Sequence, residues 1–325
     1  MDHSFAALIP VFNGERHLRT ALESVLQQTR PLDEIIVIDD GSTDATPDLL
    51  RSFGDRVRVV RQANGGVAAA RNVGFRAARS RWVALLDADD YWHPQKIAVV
   101  ESAVRKLPDA GFFYSDAWQV DEGGARQRIL RSSALGRATA QTLLLRSCFV
   151  TSSAVVQRDR AVSAGLFRED FLCKAGMEDW DFFIRLANES PGFPVPGRWT
   201  YYRHHSSSAI QSHRDRLRQD AERVVDLNSA LVSPRVARRA RALVYFESGV
   251  RHMAALALPA ARRELVHSFR GAPNLALKAA FLWVLSWGGA FPVGVLLKTR
   301  RWVYGIMAWI ESVLKRDGGW GGSRE

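Results

Sequence analysis

The chain has 325 residues, 47% apolar and 24% charged, enough for one large domain or two smaller ones with a sizeable core. Its two cysteines, Cys148 and Cys173, are too few for a disulfide framework or a cysteine-based metal cluster. The net charge is +11, but residues 211–325 hold 19 Lys and Arg against 9 Asp and Glu, so +10 of it lies in the last third, marking a change of role near residue 210.

Phe5-Ala6-Ala7-Leu8-Ile9-Pro10 reads as a first strand. With no secretory signal ahead of it, a cytosolic setting is expected. An Asn13-Gly14 turn follows, and from Arg16 to Gln28 the residues Leu18, Ala21, Leu22, Val25 and Leu26 recur on one side of a helix that Pro31 ends. Glu34 to Asp39 is a second strand, rich in Ile and Val. Asp39-Asp40-Gly41-Ser42-Thr43-Asp44 turns into a helix reaching Phe53, with Asp44 or Thr46 placed to cap it and Pro47 in its first turn. Val57 to Arg61 is a third strand, Asn64-Gly65-Gly66 a turn, and Val67 to Arg79 a helix. The apolar run Trp82 to Leu86 is a fourth, buried strand. Strands alternating with helices predict a mostly parallel sheet of right-handed βαβ units. A dinucleotide-binding fold places G-x-G-x-x-G after the first strand. Pro10-Val11-Phe12-Asn13-Gly14 stands there instead, and no P-loop occurs, which excludes both nucleotide-binding classes.

The fourth strand stops at Asp87-Ala88-Asp89-Asp90. Clustered carboxylates repel unless a cation neutralises them, and Mg²⁺ is commonly held by one or two carboxylates together with substrate phosphates. The turn therefore reads either as a metal–diphosphate site at a strand end or as a solvated acidic cap on the helix starting near Pro94.

That helix runs to Lys106, followed by a strand at Gly111-Phe112-Phe113-Tyr114, a hairpin-like turn at Asp121 to Gly124, a short helix from Ala138 to Arg146 and a strand from Thr151 to Val156. Gly165-Leu166-Phe167 is a tight turn. Met177-Glu178-Asp179-Trp180-Asp181 opens an amphipathic helix, and three acids there suit its macrodipole. A Pro-rich stretch, Pro191 to Pro196, leads to Tyr202-Arg203-His204-His205.

Ile9-Pro10-Val11-Phe12-Asn13, Val37 to Asp44, Asn64-Gly65-Gly66 with Ala70-Arg71-Asn72-Val73-Gly74, and Leu86 to Asp90 together resemble the successive signatures of the family 2 glycosyltransferases, in order and spacing as well as content. The resemblance covers residues 5 to about 205. It implies a GT-A fold, a Rossmann-like sheet flanked by helices, with a nucleotide-sugar donor, inversion at the anomeric carbon and Mg²⁺ or Mn²⁺. It places Asp40 on the uracil of a UDP donor, with Pro10 and Phe12 bordering the base. Arg71 would either reach the phosphates or lie on a solvated helix face. Asp87 and Asp89 would bracket ribose and metal, Asp89 being the stronger candidate for direct ligation. Asp90 would hold the donor sugar or cap the next helix. Asp179 matches the family's catalytic base, since an acceptor hydroxyl must lose its proton as it attacks. Glu178 would position the acceptor, and Trp180 would stack on a sugar or sit in the core. By the family's Tyr-Arg-x-His pattern, His205 would face the metal or diphosphate, with Arg203 beside it.

After Ser206-Ser207-Ser208 the pattern is helical: Arg214 to Val232, then a hairpin of Pro234 to His252 and Pro259 to Phe269. Nineteen uncharged residues lie between Lys278 and Lys298, broken by Gly288-Gly289 and Pro292 and flanked by basic residues. They fit an interfacial helix on a membrane surface, over 275–313, or a packed helical subdomain. The expected organisation is a catalytic domain at 1–210 and a basic helical region at 211–325, the protein being peripheral on the inner face of the plasma membrane. The acceptor would be a glycan or a lipid-linked glycan. No nucleic-acid-binding motif interrupts the pattern. Two rivals are a sugar nucleotidyltransferase, which would want a glycine- and basic-rich loop where Val11 to Glu15 stands, and a binding module that has lost turnover.

Overall fold

The computed structural model describes residues 3–146, 149–171, 177–204, 214–269, 280 and 282–283. The chain divides into two compact units, residues 1–220 with 230–232, and residues 221–229 with 233–325.

The first unit opens as the hydrophobic pattern predicts: β1 (Phe5–Val11), α1 (Leu18–Leu26), β2 (Glu34–Asp39), α2 (Thr46–Phe53), β3 (Arg58–Arg61), α3 (Val67–Ala77) and β4 (Trp82–Leu85). Then come β5 (Tyr91–Trp92), α4 (Lys96–Lys106), β6 (Phe112–Val120), β7 (Arg126–Leu130), α5 (Ala140–Leu145), β8 (Val155–Gln157), α6 (Arg158–Ser163), α7 (Glu178–Glu189) and β9 (Gly192–Arg203). One sheet holds all nine strands in the order β3-β2-β1-β4-β8-β6-β9-β5, with β7 beside β6. Strands β3, β2, β1 and β4 are parallel, whereas β8 runs antiparallel to both β4 and β6. β9 is parallel to β6, and β5 and β7 are antiparallel additions. The sheet is thus mixed, with the predicted βαβ half on one side only.

Every residue of β1 is buried, because helices cover both faces. On one face Phe5, Ala7, Ile9 and Val11 join Leu18, Leu22 and Val25 of α1, Leu50 and Phe53 of α2, and Ile97, Val100 and Val104 of α4. On the other, Leu8 faces Gly74 of α3, while Phe75 packs toward Phe167 and Phe182, the latter two stacked at 4.1 Å. A Cβ at Gly74 would land on the Leu8 methyls, so this glycine sets how closely α3 approaches β1. Gly74→Ala should lower stability by about 1–3 kcal/mol through overpacking. That exceeds the roughly 1 kcal/mol of helix propensity alanine returns. Urea unfolding checks it, and a Leu8→Ala second change should recover part of the loss.

Three segments depart from expectation. Thr151–Ser153 is a 3₁₀ turn rather than the start of a strand, because its hydroxyls and the Ser152 carbonyl are drawn to side chains around the acidic turn. The Pro-rich stretch is part of the twelve-residue β9, and irregular register opposite Ser115–Ala117 absorbs Pro196 and Gly197, the latter at φ +113°. The arginine-rich β7 completes a hairpin with β6.

After β9, α8 (Arg214–Asn228), α9 (Pro234–Ala254) and α10 (Leu258–Phe269) follow. Within the second unit, Ser233 caps α9 with Pro234 in the first turn, and α9 and α10 pack through Met253, Ala261 and Leu265 with Tyr245 stacked on His267. Among the described residues no helix is long and apolar enough to cross a membrane. The membrane-surface expectation for 275–313 falls almost wholly outside the described residues.

Candidate active site

The parallel strands β1, β2 and β4 all end at one edge of the sheet, where an open α/β sheet forms its ligand crevice. There the loop after β1 is stapled to the loop after β2. Asn13, at φ 51°, donates its amide to Ser42 Oγ (3.0 Å) and accepts from Thr43 N (2.8 Å); Gly14 N donates to Thr46 Oγ1 (2.8 Å), and Asp44 Oδ1 accepts from Thr46 N. Phe12 stands on this rim, 51% exposed, while Pro10 is buried near the end of β1 opposite Ile38.

Asp40 is buried, and its carboxylate is engaged by the glycine turn. Oδ1 accepts from Gln62 Nε2 (2.7 Å) and Gly65 N (2.9 Å), and Oδ2 from Gly66 N (2.8 Å). It therefore sits on the amides that open α3, where the helix dipole favours negative charge. Three of about four lone-pair sites are filled, leaving room for one more donor. The uracil expectation for Asp40 did not anticipate that it also braces a loop 25 residues away.

Next along α3, Arg71 is 3% exposed and forks between the two acidic corners. Nη2 donates to Asp87 Oδ1 at 2.7 Å and Nη1 to Glu178 Oε1 at 2.9 Å, with the guanidinium 5.3 Å above the Phe167 ring. Burial works against its charge, but Asp87, Glu178 and Asp179 outweigh that and hold its pKa above the ordinary value. This corrects the solvated-face expectation for Arg71, whose buried guanidinium is held by carboxylates on both Nη atoms. Asn72 holds the Gly165–Phe167 turn, bonding Phe167 N and O and Glu169. A cleft lies between the α3 and α7 N-termini, lined by Gly65, Gly66, Arg168, Glu169 and Glu178 among others.

In the acidic turn, Asp87 and Asp89 are half-buried and Asp90 is 1% exposed. Asp90 accepts from Ser152 Oγ (2.6 Å) and Arg203 N (2.8 Å), so it neither holds a donor sugar nor caps α4. Burial, then Asp89 and Asp87, push its pKa well up. Arg203 is likewise spent inside the protein. Nε donates to the Asp89 carbonyl (2.9 Å) and Nη1 to the Glu122 carbonyl, tying β9 to the turn. His205 lies outside the described residues.

Opposite stands the α7 N-terminus. Asp179 is half-buried, with Oδ2 accepting from Thr151 Oγ1 (2.7 Å) and Oδ1 from Trp180 N (2.7 Å). Glu178 is buried on Arg71 and on Met177 N. That burial removes it from contact with an acceptor and leaves it bracing the helix end. Trp180 is buried, its indole donating to the Leu143 carbonyl, so it belongs to the core.

The two corners share one neighbourhood. Ser152 bonds both Asp87 N and Asp90, while adjacent Thr151 bonds Asp179. Tyr202 feels them all: burial first, then Asp90, Asp89, Asp87 and Asp179, raise its phenol pKa. Lys96, 0% exposed, is a residue that no sequence motif singles out. Its amine donates to the Ser152 carbonyl (2.8 Å) and Thr200 Oγ1 (3.1 Å), and burial lowers its pKa while Asp90 opposes the shift.

Among the described residues no three His, Cys, Asp or Glu side chains form a preformed metal cage. The donor chemistry nonetheless fits a hard divalent cation: Asp87 and Asp89 accumulate negative charge sufficient to disturb Asp90, and Asp87 Oδ2 has no hydrogen bond among the described residues. Mg²⁺ in particular is more often completed by substrate phosphates than by a protein cage.

Comparison with known proteins agrees with this architecture. An uncharacterized glycosyltransferase of Rickettsia felis is 28% identical over 191 residues, 57% of this chain and 31% of its own. Glycosyltransferase GlyA of Streptococcus pneumoniae is 36% identical over 110 residues, 33% of this chain and 15% of its own. The chain spans less than a third of the length of the curated relatives it matches. The crystal structure of S. aureus TarS 1-349 in complex with UDP-GlcNAc superposes with a TM-score of 0.63 at 16% identity, covering 86% of this chain and 83% of that one. The UDP complex of the same protein gives 0.60 at 15% identity, covering 99% and 94%. Such low identities speak for the fold, which is that of the GT-A-like glycosyltransferases. Residues 6–165, just under half of the chain, match the model for glycosyl transferase family 2.

Proposed function

We propose that this chain is an inverting, metal-dependent glycosyltransferase that moves a sugar from a UDP donor to a hydroxyl of a glycan or lipid-linked acceptor. The observation that carries the reading is the meeting of two carboxylate corners, Asp87–Asp89 and Glu178–Asp179, joined by Arg71 and by Thr151-Ser152. The TarS complexes with UDP-GlcNAc and UDP support a uridine nucleotide as the donor class.

In this reading Phe12 borders the base, and Asp40 offers it the acceptor site left by Gly65 and Gly66. Asp179 takes the proton of the acceptor hydroxyl while that oxygen attacks the anomeric carbon. The bond from that carbon to the diphosphate oxygen breaks on the opposite side, and UDP leaves with the bonding pair, inverting the centre. Thr151 and the Trp180 amide hold the Asp179 carboxylate in place for this, as a general base requires. Bound Mg²⁺ or Mn²⁺, held by Asp89 with Asp87, would neutralise charge on the departing diphosphate. Glu178, Arg71, Asp90 and Arg203 act as positioning residues. Residues 1–210 carry the reaction, and the basic region 211–325 would keep the protein on the inner face of the membrane.

Two measurements test the reading. A thermal-shift panel of nucleotide sugars with and without Mn²⁺ should raise the apparent stability for a UDP-sugar, more so with metal. Asp89→Ala should abolish the metal-dependent part of UDP binding in calorimetry; unchanged affinity would remove Asp89 from the ligand set. Pyrophosphate release from a sugar phosphate and nucleoside triphosphate would instead indicate a nucleotidyltransferase. UDP-sugar binding without transfer or slow donor hydrolysis would indicate a binding module.

A further inference from the structure

A row of aromatic rings covered by guanidinium groups leads away from the acidic turn along one face of the sheet. Tyr91, one residue beyond Asp90, lies directly across from Tyr201, and Tyr201 directly across from Trp118. The two tyrosine rings stack at 4.5 Å and 9°. Arg203, which grips the Asp89 carbonyl, covers Tyr91 at 5.5 Å. Arg126 covers both Trp118 (5.1 Å) and Tyr201 (5.5 Å), and Arg198 also covers Trp118 (5.1 Å). With strands about 4.8 Å apart, Trp118 stands about 10 Å from Tyr91.

Arg126 and Arg198 are exposed, and among the described residues neither has a carboxylate partner. Residues 123–137, which contain β7, hold four arginines and no acid. A guanidinium held over an aromatic ring is partly oriented already, so it loses less freedom on binding, and its N–H groups not engaged by the protein stay open to a carboxylate or phosphate. Arg126 spends one of them on the Tyr201 hydroxyl (3.0 Å), fixing the plane further. None of the exposed large apolar side chains lies in this row, and insertion into lipid would need such groups. The surface is polar, cationic and continuous with the candidate active site.

We propose that Arg126 and Arg198 form a clamp for the carboxylate or phosphate groups of an anionic glycan acceptor, holding it against the row that begins beside Asp90. This rests on the glycosyltransferase reading and assigns its acceptor class.

The test uses the full chain and three fluorescent oligosaccharides of equal length: an oligogalacturonate, a phosphorylated dextran and neutral dextran, with UDP titrated separately. At least one anionic probe should bind better than the neutral one, and less tightly at high salt. The two anionic probes distinguish carboxylate from phosphate. The Arg126→Gln/Arg198→Gln variant should bind it about tenfold more weakly or worse, equivalent to about 1.4 kcal/mol. Its UDP affinity should not move, and it should remain folded at the assay temperature. Arg126→Lys/Arg198→Lys, which keeps the charge but loses the planar fork, should recover less than half of that loss in binding free energy. The clamp is refuted if neither anionic probe outbinds neutral dextran or if the Gln variant binds as wild type does. Binding of anionic phospholipid vesicles without either glycan would also refute it. Anionic glycan binding that depends on the arginine pair in a protein that binds no UDP-sugar would leave the clamp standing and remove the transferase reading.

Discussion

Asp179→Asn should cut sugar transfer by about 10²- to 10⁴-fold, the contribution of a positioned general base, while UDP binding stays near wild type. The change is nearly isosteric, and both protein contacts of the carboxylate can be preserved. The amide oxygen can still accept from either Thr151 Oγ1 or Trp180 N, and the Thr151 hydroxyl can turn to accept from the amide NH₂. What is lost is proton affinity. The discriminating readout is single-turnover transfer at saturating donor and acceptor, with donor affinity measured in parallel. Normal turnover would remove Asp179 as the base. Thr151→Val supplies an internal control: it keeps the carboxylate but frees one oxygen, so transfer should fall by a smaller factor than in the Asn variant.

The legible half of the fold is the half with strong periodicity. β1, β2 and β4 are apolar runs with helices between them, and their parallel pairing follows from that alternation. The carboxylate corners were legible because they interrupt apolar segments. The rest depends on partners far away in sequence. β5 has two residues and no period, and β9 carries Pro194 and Pro196, which ordinarily argue against a strand interior. Its pairing with β6 survives because the register shifts beside them. Lys96 reads as an ordinary first-turn lysine, yet its amine lies on a carbonyl 56 positions away. Asp90 and Arg203 could be picked out as members of motifs, but not assigned to each other, since they meet only once β9 closes on the acidic turn. The motif around Arg71 is similar: Asn72 and Gly74 serve helix packing on Phe167 and Leu8, so part of the signature that marks the family is structural.

Arg71→Ala should be the most damaging single change for stability, costing about 3–5 kcal/mol, as when one partner is stripped from a buried ion pair. Its side chain is 4% exposed and that of Glu178 is 5%, so neither water nor a counterion readily replaces the guanidinium. Asp87, at 32%, is better hydrated, and the larger part of the penalty falls on Glu178. Urea unfolding of a double-mutant cycle separates this from simple cavity formation. On a Glu178→Gln background the buried charge is already gone, so Arg71→Ala should cost measurably less than in wild type. Equal costs on both backgrounds would mean that Arg71 contributes only packing against Phe167. Arg71→Lys sharpens the same point, because a single ammonium cannot span Asp87 and Glu178 with two planar N–H groups as the guanidinium does. The lysine variant should therefore unfold at lower urea than wild type but above Arg71→Ala. Even where it is fully folded it should transfer sugar more slowly, since the fork that sets the spacing between the corner beside Asp89 and the corner bearing Asp179 is gone.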